Sequence, residues 1–423
     1  MLNRTESPEL IQSADIKIPE AKIIYINDNI PVIIVNEGTQ EVMKVELVFS
    51  AGNISEESPM LASAASELLD EGTRKRSSAE IAEALDNYGA YFQTECGNDF
   101  ASVSLYSLSR FLPETLPVLL EIINEPAYPE KEIVTFCVQG KQRLAVNQEK
   151  VDFLARKHFI HSLYGNQHPY GHFPTENDFD ILNSEKLISF HKKNYLNGLV
   201  AVVIAGKFND TQLNLAIEKI NDSGFKKGKV ERLNIASSPE DIQLHIPKEA
   251  AVQSAIRIGR RLFNRKHPDY FKFTILNTVL GGYFGSRLMS NIREDKGYTY
   301  GIGSGIIPQF FDGYFFISTE VGSDVCSDAI KEIHFELNRL VSEAIPISEL
   351  NLVKSYLTGS FQRSIDGPFS LSDRYKTLVL NGLELDHYYA YLHTLKNVTS
   401  EELLETAHHY LEVIHMTQVI IGP

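Results

Sequence analysis

The second half of this chain repeats the design of the first, and that limits the folds open to it. The segment NSEKLISFHKKNYLNGLVAVVIAG, Asn183 to Gly206, returns as TSEELLETAHHYLEVIHMTQVIIG, Thr399 to Gly422. Ser184 and Ser400 are 216 residues apart, as are Gly206 and Gly422. In each copy Asn or Thr followed by Ser opens an acidic, amphipathic helix pattern, and a β-branched run ending in Gly reads as a buried strand. The copies also begin alike: VMKVELVFSAGNISE (Val42 to Glu56) and AVQSAIRIGRRLF (Ala251 to Phe263) are both strands that lead into helical stretches. The chain is therefore read as a tandem duplication.

Between the copies lies SGFKKGKVERLNIASSPED, Ser223 to Asp241, rich in Gly, Lys and Ser, which reads as a linker. The expected division is an N-terminal lobe over 1–222, a linker over 223–242 and a C-terminal lobe over 243–423. Strands and long helices are mixed in each half, and Asp86 to Leu108 shows the pattern of an antiparallel hairpin, so each lobe is expected to be α+β. Two such lobes predict a clamshell, superposable halves facing each other across a cleft.

With 423 residues, 43% of them hydrophobic, the chain has material for two or three cores. Its net charge of −15 argues against nucleic acid and anionic membranes as partners. Cys96, Cys137 and Cys326 have no CxxC spacing, so neither a disulfide framework nor a cysteine zinc site is expected. The N-terminus has no apolar signal region, and the longest apolar run, Leu199 to Ala205, is too short to cross a bilayer. A cytoplasmic protein is the resulting expectation.

The segment His267 to Gly305, HPDYFKFTILNTVLGGYFGSRLMSNIREDKGYTYGIGSG, resembles the M16 (pitrilysin or insulinase-like) metallopeptidase family. The resemblance runs through Gly281, Gly282, Ser286, Arg287, Leu288, Ile292, Arg293, Glu294, Gly297 and Tyr300. In the first half it is carried by LLDEGT (Leu68 to Thr73), YGAYFQTE (Tyr88 to Glu95) and LYGNQHPYG (Leu163 to Gly171), so nearly the whole chain is covered.

The family's zinc motif is His-x-x-Glu-His on one helix face, with a third, glutamate ligand on a later helix. Anchored on Gly72 and Thr73, the motif falls on Ser63, Ser66 and Glu67, with the third ligand near Arg143. Serine is a poor zinc ligand, Ser66 has no carboxylate to serve as a general base, and a guanidinium brings a fixed positive charge. No Asp or Glu stands between Ile133 and Gln148, so no slip of register restores the site. His158 with His161, His168 with His172, and His408 with His409 read as surface or capping residues rather than ligands. GGYFG, Gly281 to Gly285, lacks P-loop and dinucleotide spacing and reads as a helix-ending turn.

By resemblance, Arg293 and Tyr300 correspond to the Arg/Tyr pair with which M16 enzymes hold the substrate backbone. The resemblance thus implies a zinc-less subunit of a two-chain peptidase. It would complete the peptide-binding chamber and contribute Arg293 and Tyr300 as substrate-binding residues, with no catalytic residue and no cofactor of its own. The zinc is expected on a partner subunit bearing the His-x-x-Glu-His motif, with a homodimer as the form in its absence. The rival readings are a purely structural or peptide-binding M16-like protein and a zinc peptidase with unrecognised ligands.

Overall fold

The computed structural model describes residues 16–27, 29–166, 168–230 and 242–423. Most of the expected linker, residues 231–241, lies outside the described residues, as do residues 1–15 of the N-terminal lobe.

The duplication is visible in the order of the strands. The first sheet contains β1 (Lys22–Ile26), β2 (Ile30–Asn36), β3 (Val42–Phe49), β4 (Tyr91–Cys96), β5 (Ala101–Leu108) and β6 (Leu199–Gly206). The second contains β7 (Gln243–Pro247), β8 (Gln253–Leu262), β9 (Ile302–Pro308), β10 (Gly313–Gly322) and β11 (Thr417–Gly422). Apart from the extra edge strand β1, the orders correspond: β2-β6-β3-β5-β4 against β7-β11-β8-β10-β9. The senses correspond too, since β2 is parallel to β6 and β7 to β11, and every other pairing is antiparallel. The fold is the α+β duplication that the repeat implies, and the expected hairpin is β4 with β5. The repeated helix starts also behave as read, because Asn183 accepts from the Lys186 N–H and Thr399 from the Glu402 N–H.

Each sheet has one face on a core built from its own half. The other face is covered by the opposite half. Helix Val151–Tyr164, from the first half, packs on β8 and β11, burying Ala155, Phe159 and Ile160 with Ala255, Val419 and Ile421. Helix Pro368–Asn381, from the second, packs on β2 and β6, burying Leu371, Tyr375 and Leu378 with Ile33, Val35, Val203 and Ala205. The two helices start 217 residues apart, within one residue of the repeat interval, so equivalent helices have been exchanged. This is why Leu199–Gly206 has a continuous apolar run instead of an alternating one: both of its faces are buried.

Polar contacts fix the exchange. Lys44 and Glu46, each 2% exposed on β3, meet Asp373 and Lys376 of the incoming helix in a closed ring of alternating charge. Lys44 Nζ is 2.9 Å from Asp373, and Lys376 Nζ is 2.7 Å from Glu46. The pairing is what makes the buried Lys44 and Glu46 tolerable. At the other end, equivalent hairpin turns touch: Asp99 accepts from the Phe310 N–H at 3.0 Å, and the Phe100 and Phe310 rings meet edge to face. The three cysteines are free and half-buried.

Candidate functional site

Helix Leu61–Glu67 (LASAASE) is short and made of small residues, so it lies deep, with Ala62, Ala64, Ala65 and Ser66 buried. Tyr128, fully buried, donates its hydroxyl to the Ala65 carbonyl at 3.0 Å and stands 3.1 Å from His191 Nδ1. Met60, at φ 72°, turns the chain sharply into the helix, and Glu56 reaches back to accept from the Ala62 N–H at 3.0 Å. Helix Glu130–Gln148 carries Arg143, and its Gly140 lets the Phe179 ring pack closely, since a Cβ there would stand 2.2 Å from that ring.

These elements bring Glu67 and Arg143 together across 76 residues of sequence. Arg143 Nη2 lies 3.1 Å from Glu67 Oε1, both side chains being half exposed. With Ser63 they line a cavity of about 360 Å³ whose walls include Phe136, Phe153 and Phe179. Ser66 is buried beside it and 3% exposed. Zinc does not fit this set: it holds one carboxylate already engaged by a guanidinium, one serine facing the cavity and another turned into the core. Among the described residues no cluster of three or more His, Cys, Asp or Glu could hold a metal ion.

The meeting of Glu67 with Arg143 makes the register testable. Wild-type protein is expected to take up no stoichiometric zinc. A chain carrying Ser63→His, Ser66→Glu, Glu67→His and Arg143→Glu should bind about one zinc per chain by elemental analysis. A folded quadruple variant that stays metal-free would show that these positions do not converge as described.

The sequence does not pick out Glu56, and it reads His172 as a surface or capping residue. Glu56 and His172 both line the cavity. Burial pushes the Glu56 carboxyl up to about 7, against the lowering effect of the Ala62 and Met60 N–H groups. Behind the helix, burial pushes His191 down to about 4, opposed by its contact with the Ile123 carbonyl 2.7 Å away. The signs are opposite. Glu56 stabilises the fold below its ordinary value of 4.5, and that contribution is lost as pH rises through about 7. His191 contributes above its ordinary 6.5, and its contribution is lost as pH falls through about 4. Each is worth roughly 3 kcal/mol, so they largely offset. Glu56→Gln should therefore uncover a urea midpoint that climbs with pH between 4 and 6.5, where wild type stays flatter; a variant that tracks wild type throughout would contradict this.

Arg293 and Tyr300 also come together. Arg293 sits in the helical turn Met289–Asp295, and Tyr300 stands at the turn before β9. The guanidinium carbon is 5.6 Å from the centre of the Tyr300 ring and 4.6 Å from that of Phe284. Tyr300 is 93% exposed and Phe284 64%. Among the described residues Arg293 makes no ion pair, although Glu294 and Asp295 follow it in sequence. A second cavity, of about 500 Å³, shares Asn147 and Phe153 with the first and reaches Val252 and Glu320 at the junction of the lobes. The Glu320 carbonyl accepts from Thr299 Oγ1 at 2.7 Å, next to Tyr300. Neither Arg293 nor Tyr300 lines these two cavities: the pair converges at the surface, beyond the end of the second.

Comparison with known proteins bears on the fold. The family model described as the peptidase M16 inactive domain matches residues 182–357. The uncharacterized zinc protease YmxG of Bacillus subtilis is 24% identical over 309 residues, covering 72% of this chain and 74% of its own. An uncharacterized zinc protease of Rickettsia bellii is 21% identical over 363 residues, 83% and 85% of the two chains. The chain is similar to M16 peptidases over most of its length. The solved M16 inactive domain from Pseudomonas fluorescens superposes on this chain with a TM-score of 0.87, at 23% identity, over 96% of this chain and 98% of the other. The duplicated α+β lobes are thus the M16 fold.

Proposed function

We propose that this chain is the non-catalytic subunit of a two-chain zinc peptidase, binding the peptide with Arg293 and Tyr300 while a partner subunit supplies the metal. The observation that carries the reading is the state of Arg293. Its guanidinium lies over two exposed aromatic rings and, among the described residues, is engaged by no carboxylate. A guanidinium and a phenol that are free to donate can hold a peptide carbonyl, and they hold it more strongly as its oxygen gains charge. The Glu67–Arg143 pair closes the position from which this chain could have brought its own metal. Without the partner, self-association is the expected form.

The reading is tested by affinity purification of the native complex followed by peptide hydrolysis assays. A co-purifying His-x-x-Glu-His subunit, with activity in the complex and none in this chain alone with added zinc, is the expected result. Hydrolysis by the isolated chain would overturn it, and a complex whose activity ignores Arg293 would leave a purely structural or peptide-binding module.

A further inference from the structure

We infer that Phe284 is the third member of the Arg293/Tyr300 site, a positioning residue that holds the guanidinium so that its N–H edge faces a peptide carbonyl; the inference rests on the peptide-binding reading above. Phe284 lies in the turn Gly281 to Gly285, between the end of one helix and the Ser-Arg-Leu that starts the next. Its ring is 64% exposed, which costs hydrophobic free energy and finds no return in core packing. What the ring does touch is Arg293, 4.6 Å from ring centre to guanidinium carbon, closer than the 5.6 Å to Tyr300. A guanidinium over an aromatic face is held by the ring quadrupole, and its N–H groups, which lie in its own plane, stay available. The stacking thus does the orienting work that a carboxylate does elsewhere, without neutralising the charge or occupying the donors. The exposed remainder of the Phe284 ring offers an apolar surface to a side chain of the same peptide. The ligand class is an extended peptide with a carbonyl on Arg293 and an apolar residue beside it.

Fluorescence anisotropy with fluorescein-labelled β-casein on the full chain tests this. Phe284→Ala should weaken binding about two- to fivefold, the span of an exposed cation–π contact, while Phe284→Tyr restores it. In an Arg293→Ala background Phe284→Ala should cost little further, because the ring acts through the guanidinium. A full loss in that background would make Phe284 an independent contact and overturn the positioning role, as would unchanged binding in the wild-type background. If Arg293→Ala itself binds like wild type, the peptide-binding reading fails first. The melting temperature of Phe284→Ala should match wild type, and a drop of several degrees accompanying the binding loss would assign the ring to the fold instead.

Discussion

In a complex reconstituted with the zinc-bearing partner proposed above, the Arg293→Ala variant is expected to hydrolyse peptide roughly 10²-fold more slowly than wild type, the scale on which single transition-state donors act. Tyr300→Phe, which removes only a phenolic proton, is expected to fall by the same order or somewhat less. The assembly should be unaffected, since Tyr300 is 93% exposed and Arg293 is tied into no ion-pair network among the described residues. The size of the effect follows from where the donors would work. A carbonyl held by a charged donor gains most from it as negative charge grows on oxygen, so the loss should appear in kcat more than in KM. Arg293→Lys is a useful intermediate, because an ammonium keeps the charge but cannot stack its plane on Phe284. Equal turnover in wild type, Arg293→Ala and Tyr300→Phe, with the complex intact, would remove the pair from catalysis.

The second large effect concerns folding. Residues 1–230 produced alone should be insoluble or molten, and so should 242–423, whereas co-production should recover a folded, soluble complex. In the isolated first half, Ile33, Val35 and Val203 lose the helix Pro368–Asn381 that covers them. At roughly 2 kcal/mol for each large side chain uncovered, these three account for about 6 kcal/mol, comparable with the whole net stability of a typical domain. The same half would leave the buried Lys44 and Glu46 without Asp373 and Lys376. The isolated second half loses the cover that Phe159 and Ile160 give to Val419 and Ile421. A cooperative thermal transition in purified, monomeric 1–230 would show that the exchange of helices is dispensable.

The sequence by itself determined the duplication, because a period-2 or period-3.6 pattern that recurs at 216 residues imposes the same local structure twice. The resemblance pointed to Ser63, Ser66, Glu67 and Arg143, and the structure brings Glu67 and Arg143 together beside Ser63 at one cavity. Glu56 was not readable in this way. In NISEESP it is one acid among several, and only the turn at Met60 swings it over the start of the helix and into low dielectric. Phe284 stayed hidden for a similar reason: a phenylalanine between glycines reads as turn or core, and its partner Arg293 is nine residues away along an irregular path. The exchange of helices was decided by tertiary structure alone. The unbroken apolar run of Leu199–Gly206 announces that both of its faces are covered, yet hydrophobic burial is non-directional and does not say by which half. That choice is made by the charge ring at Lys44, Glu46, Asp373 and Lys376 and by the touching hairpin turns, which exist only once residues more than two hundred positions apart have met.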